Sequence, residues 1–202
     1  QTMNNDTSAL SPKEQQIAAI SAHTARGDMP GLRNALTAGL DAGLTLNELK
    51  EVLVQMYAYC GFPRSLNALN ELMVLAKDRA SRGINDTVGA EAGAPPAGKS
   101  IDFGTANQTK LCGAPVKGDL FLFAPAIDEF LKAHLFGDIF GRDNMDWKTR
   151  ELATIAALAA MTGTESQLNS HIRIGKHNGL TDGQVEAILA VSALSLIHIS
   201  EP

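Results

Sequence analysis

Several absences narrow this chain before any motif is read. Its 202 residues include only two cysteines, Cys60 and Cys112, too few and too ordinarily spaced to imply a disulfide framework. Lysines and arginines are scattered and the net charge is −5, so no basic patch argues for a nucleic-acid partner. Nothing approaches the roughly eighteen consecutive apolar residues of a membrane-spanning helix. No metal signature is present either. His171 and His177 are six residues apart, about 240° around a helix, and cannot converge on one ion as an i, i+4 pair would. The first residue is Gln1 and not Met, which leaves the compartment open between cytoplasm and, if a signal peptide precedes it, periplasm.

What is present is a duplication. "LRNALTAGLDAGLT" (Leu32 to Thr45) and "LNSHIRIGKHNGLT" (Leu168 to Thr181) lie 136 positions apart, and the same shift pairs Gly39 with Gly175, Gly43 with Gly179, Leu44 with Leu180 and Leu53 with Leu189 without a gap. A period this long means two repeated modules and not a solenoid. With 45% hydrophobic and 19% charged residues, the chain can bury a core in one domain or two small ones.

Helix starts are well marked. "SPKE" (Ser11 to Glu14), "TLNE" (Thr45 to Glu48), "TESQ" (Thr164 to Gln167) and "TDGQ" (Thr181 to Gln184) each place a capping residue three positions before Glu or Gln. Further helices are predicted near Asp28, at Pro63 and at Asp146, and Gly43 and Gly179 fall where helices end. The fold class is therefore all-α. Residues 83–118 are Gly- and Pro-rich, lack helical periodicity, and read as a connector between modules at 1–82 and 119–202. "LFLFAPAIDEFLKAHLFGDIF" then supplies a leading helix to the second module. On the helix from Pro63, the stripe Leu66, Leu69, Leu72, Met73 and Ala76 is expected to be buried. The second module shows no counterpart of that helix, and "SLIHISEP" reads as a truncation or a foreign tail, so that neighbouring subunits would be needed to cover the exposed face.

"GLTLNELKEVLVQMYAYCGFPRSLNAL" and "MDWKTRELATIAALAAMTGTESQLNSHIRIGKHNGLT" resemble the two signature halves of the carboxymuconolactone decarboxylase family, whose relatives include the AhpD-type alkyl hydroperoxidases. The resemblance covers most of the chain outside the connector and implies a compact helical module, here duplicated, of a kind that forms trimeric rings or hexamers. It does not by itself define an activity, because the family contains carboxy-lyases, thiol peroxidases and members of unknown chemistry.

Candidate chemistry gathers in the second repeat. Leu168, His171, Ile172 and Gly175 share one helix face, so His171 points with the apolar side chains, either as a core histidine or as a proton-transfer group. It falls where the family's peroxidases carry the histidine that closes a Cys-x-x-Cys-x-x-x-His string, whereas the first repeat has Ala35. Glu151 opens a helix that is apolar nearly all round, as a helix-start carboxylate or as an acid facing a pocket. Its counterpart in the first repeat is Gln15. Arg150 and Arg142 are candidate cations for an anionic substrate, and His134 could line the same site from the leading helix, although a simple surface or packing role suits it better. The two positions of the reactive cysteine pair hold Thr164 and Gln167, which form no thiolate or disulfide. A single reactive Cys60 stays open.

The leading expectation is a lyase that acts on a small carboxylated lactone or related anion by cofactor-free proton transfer. His171 and Glu151 would be catalytic, with Arg150, Arg142 and His134 binding substrate and no metal or cofactor required. One alternative is a peroxidase or other thiol oxidoreductase using Cys60. The other is a non-catalytic oligomeric binding module.

Overall fold

The computed structural model describes residues 6–200, with side chains through residue 197; Gln1, on which the question of compartment turned, and the last two residues of "SLIHISEP" lie outside them. The chain is 71% helical, with no strand among the described residues. Two compact units form: one holds the described residues through Ala90 together with those from Lys148 onward, and the other spans Glu91–Trp147.

In the first unit, α1 (Pro12–Arg26), α2 (Met29–Asp41) and α3 (Leu46–Gln55) make up repeat one. They are followed by the single turn α4 (Tyr57–Cys60) and the long α5 (Phe62–Ser81). Repeat two contributes α9 (Trp147–Ala159), α10 (Glu165–His177) and α11 (Asp182–Ser200). Shifting the bounds of α2 by 136 gives those of α10.

Three of the four expected capping boxes form. Ser11 and Glu14 bond reciprocally at 3.2 and 2.9 Å, Thr45 and Glu48 at 3.0 and 2.9 Å, and Thr181 and Gln184 at 3.0 Å in both directions. The fourth does not. Thr164 donates its hydroxyl to the Leu158 carbonyl at 3.0 Å, closing the end of α9, and is not available to cap α10. The paired glycines explain their own repetition: a Cβ on Gly39 would stand 3.0 Å from Leu44 Cδ1, and one on Gly175 2.8 Å from Leu180 Cδ1. Each leucine folds back onto its own helix because that helix has no side chain there.

Two expectations are corrected. The buried face of α5 runs through Ser65, Ala68, Leu72, Leu75 and Arg79, while Leu66 and Met73 are 61% and 49% exposed. The turn at Gly61, with φ +89°, sets this rotation, and Ser65 Oγ donates to the Leu53 carbonyl at 2.7 Å to hold it. The stretch read as a connector contains a 13-residue helix, α6 (Ser100–Cys112). In the second unit α6 packs on a wide π-helical turn, Leu131–Ile139, which follows the short α7 (Asp119–Phe123) and α8 (Pro125–Phe130). The contact is made by backbone: a Cβ on Gly104 would lie 1.8 Å from the Lys132 carbonyl oxygen, and one on Gly137 2.6 Å from that of Ser100. Glycines carry this packing, so no apolar stripe announces it in the sequence.

The first unit is tied together by a buried polar cluster between α3 and α9. Arg150 Nη2 donates to Glu51 Oε2 at 2.8 Å and Nη1 to Gln55 Oε1 at 2.9 Å; Gln55 Nε2 in turn donates to the Arg150 carbonyl and to Thr154 Oγ1, both at 3.0 Å. Removing one partner of such a pair strands a charge away from water. Arg150→Met should therefore lower unfolding free energy by about 3–5 kcal/mol, and Arg150→Met with Glu51→Leu should recover most of it. Urea titration followed by circular dichroism checks both.

Candidate functional site

Three elements bring the candidate residues together. Glu151 sits one turn into α9 with no exposed surface, and His171 projects from α10 toward it, its side chain 13% exposed. His171 Nδ1 lies 2.7 Å from Glu151 Oε2. A carboxylate can only accept, so Nδ1 carries the proton and Nε2 is the nitrogen left to act on a substrate. The other carboxylate oxygen, Oε1, is buried and has no hydrogen-bond partner among the described residues. Such an oxygen costs stability unless something enters to use it.

Tyr59, from α4, packs against the pair. Its ring meets the His171 ring edge-on, with centroids 5.7 Å apart and planes at 88°. Burial first, and the neighbouring Glu151 charge second, hold the Tyr59 phenol far above its usual range, so it remains a neutral hydroxyl at physiological pH. Tyr59 was legible only as part of "YAYCGFPRS", where the adjacent cysteine drew the chemical interest. Glu51 and Gln55 were likewise hidden among the other polar residues of an amphipathic helix, yet they determine what Arg150 can do.

The expectation that Arg150 holds a substrate carboxylate is corrected by that pairing. Its side chain is fully buried and its guanidinium faces Glu51 and Gln55, so a substrate anion would have to displace Glu51. Arg142 is exposed in the Glu91–Trp147 unit. His134, in the same unit, places Nδ1 2.9 Å from Asp138 Oδ2 one turn along the π-helix, with both side chains about half exposed. On α10, Lys176 pairs with Asp182 at 2.8 Å on the solvent side.

Cys60 is buried, and its thiol donates to the Met56 carbonyl at 3.1 Å. Burial pushes its pKa up to about 11, against a smaller opposing pull from Arg64. It is a packed thiol and not a poised thiolate. Among the described residues no group of His, Cys, Asp and Glu side chains is arranged to hold a metal ion, and no helix is long and apolar enough to cross a membrane.

Relatives agree with this architecture. A solved structure from Burkholderia xenovorans LB400, a candidate gamma-carboxymuconolactone decarboxylase subunit, has the same fold: it aligns over 94% of this chain and 74% of its own, with a TM-score of 0.57 and 21% identity. No curated protein matches the sequence. The profile of the Carboxymuconolactone decarboxylase family matches twice, over residues 2–72 and 125–196, once for each copy of the repeat. With most of its length matched in two copies, the chain belongs to the carboxymuconolactone decarboxylase family.

Proposed function

We propose that this protein is a lyase acting on a small carboxylated lactone or related anion, with His171 as the proton donor to carbon and Glu151 as the group that orients and charges it. The observation that carries this reading is the 2.7 Å contact between His171 Nδ1 and a wholly buried Glu151. In the step envisaged, the bond from a ring carbon to its carboxylate breaks and carbon dioxide leaves. The electron pair moves through the conjugated double bond onto the lactone carbonyl, and the resulting enolate takes a proton at carbon from His171 Nε2. Glu151 stabilises the imidazolium before transfer, and solvent restores the proton afterwards. Tyr59 fixes the imidazole plane from the side. The first repeat has Gln15 and Ala35 at the matching positions, so the framework itself tolerates both without ionisable groups.

The substrate carboxylate then needs a cation other than Arg150. A second copy of the chain is the proposed source, in a homo-oligomer of three or six subunits. Exposed Phe62, Leu66, Met73 and Val74 on α5, at 46–61% exposure, support an interface there. Sedimentation at micromolar concentration should show a species larger than the 21.4 kDa monomer; a stable monomer would remove this part of the reading.

His171→Gln should lower kcat for a carboxymuconolactone by about 10²- to 10⁴-fold while leaving thermal stability near that of the parent. Glu151→Gln should lower kcat with a smaller change in KM. Unchanged turnover in both variants would end the lyase reading.

The thiol alternative makes the opposite demand on Cys60. Because its pKa is raised to about 11, the thiol stays protonated at neutral pH, and its thiolate appears only as pH climbs toward that value. In a Cys112→Ser background, iodoacetamide should modify native Cys60 at pH 7 about a hundredfold more slowly than an unhindered cysteine, the rate rising about tenfold per pH unit. Rapid labelling at pH 7, with peroxide reduction lost in Cys60→Ser, would favour the thiol oxidoreductase instead.

A further inference from the structure

The counterpart of the His171 site in repeat one is open. A cavity of about 470 Å³ is lined by Gln15, Gln16, His23, Asp28, Asn34 and Ala35, among others. Shifting by 136 residues turns Gln15 into Glu151 and Ala35 into His171. The same helical framework has thus exchanged a carboxylate for an amide and an imidazole for a methyl group, removing the proton-transfer pair while leaving space.

This cavity has polar equipment of its own. At one wall His23, 5% exposed, sets Nδ1 3.0 Å from Asp28 Oδ2, and Asp28 Oδ1 accepts from the Gly31 amide at 3.1 Å. The approach of His23 to Asp28 is an ion-pair distance without the alignment of a hydrogen bond. A Cβ on Gly31 would stand 2.2 Å from Asp28 Oδ2 and 2.5 Å from His23 Nδ1, so only glycine lets that pair face the cavity undisturbed. Gln15, which also lines the cavity, donates from Nε2 to the Thr7 and Leu10 carbonyls at 3.1 Å each, which leaves its carbonyl oxygen as an acceptor. Ala35 supplies apolar wall, and Asn34 stands exposed beside it.

We propose that this cavity is a second ligand site, separate from the His171 centre, and that it takes a small uncharged carbonyl compound bearing both a hydrogen-bond donor and an acceptor. The charges decide the class. No lysine or arginine lines the cavity among the described residues, and the nearby Arg26, which donates to the lining Ser195 and interacts with Asp28, joins His23 in countering that carboxylate, so no cation is left over for an anion. A cation would have to compete with His23 for the same carboxylate. Amide side chains satisfy a neutral carbonyl compound at no cost in charge. The inference does not depend on the lyase reading, because no residue is shared between the two sites.

Three nearly isosteric probes test it on the full chain by saturation-transfer NMR: neutral benzamide, anionic benzoate and cationic benzamidine. Benzamide should bind at least about tenfold more tightly than either ion. Ala35→Leu, which fills the cavity, should weaken benzamide by a similar factor, while His171→Gln in the other repeat should leave its affinity unchanged. Should Ala35→Leu fail to fold by circular dichroism, Asn34→Trp at the exposed rim serves in its place. Benzoate or benzamidine binding as well as benzamide, no benzamide binding, or benzamide binding indifferent to the cavity substitution would overturn the proposal.

Discussion

The buried pair of Arg150 and Glu51 is the constraint from which the rest of the first unit follows. A guanidinium removed from water must find both charge and hydrogen bonds, and α3 of the first repeat supplies them through Glu51 and Gln55. That requirement registers α9 against α3, because Gln55 also reaches back to the Arg150 carbonyl and to Thr154. Glu151, the next residue along α9, is directed elsewhere by the helical turn and meets His171. One ion pair therefore aligns the helices and leaves the neighbouring carboxylate available for chemistry.

The duplication has been used asymmetrically. Where repeat two buries a carboxylate against an imidazole, repeat one has an amide and a methyl group beside open volume. The helices that carry Ala35 and His171 have the same bounds after the shift, and paired glycines admit the same leucine packing. A duplicated helical frame can thus carry different side chains in its two copies, since the glycines that maintain the frame recur while the residues facing them change.

The candidate site was partly readable from residue order. His171 and Glu151 stood out because each replaced a non-ionisable residue in the other repeat, and the structure brings them to 2.7 Å. Arg150 was misread for a physical reason: a guanidinium beside a candidate acid looks like an anion receptor until its own partner is known, and that partner lies 99 residues away. Tyr59 was passed over for a related cause, since edge-on stacking depends on where α4 meets α10 and has no signature in local spacing. His23 and Asp28 gave no signal as a pair, being separated by the turn at Gly27 that brings them face to face.

By itself the sequence determined the elements: helix starts, because a capping hydroxyl and a following Glu or Gln act over three residues, and the repeat, because its glycines and leucines recur in register. It also determined the family. Only the tertiary structure decided which face of α5 is buried, that a glycine-packed helix occupies the stretch read as a connector, and which partner each charged side chain takes. Caps and turns are local interactions written in neighbouring residues, whereas burial and ion pairing depend on which distant segment arrives, and that is set by the packing of the whole unit.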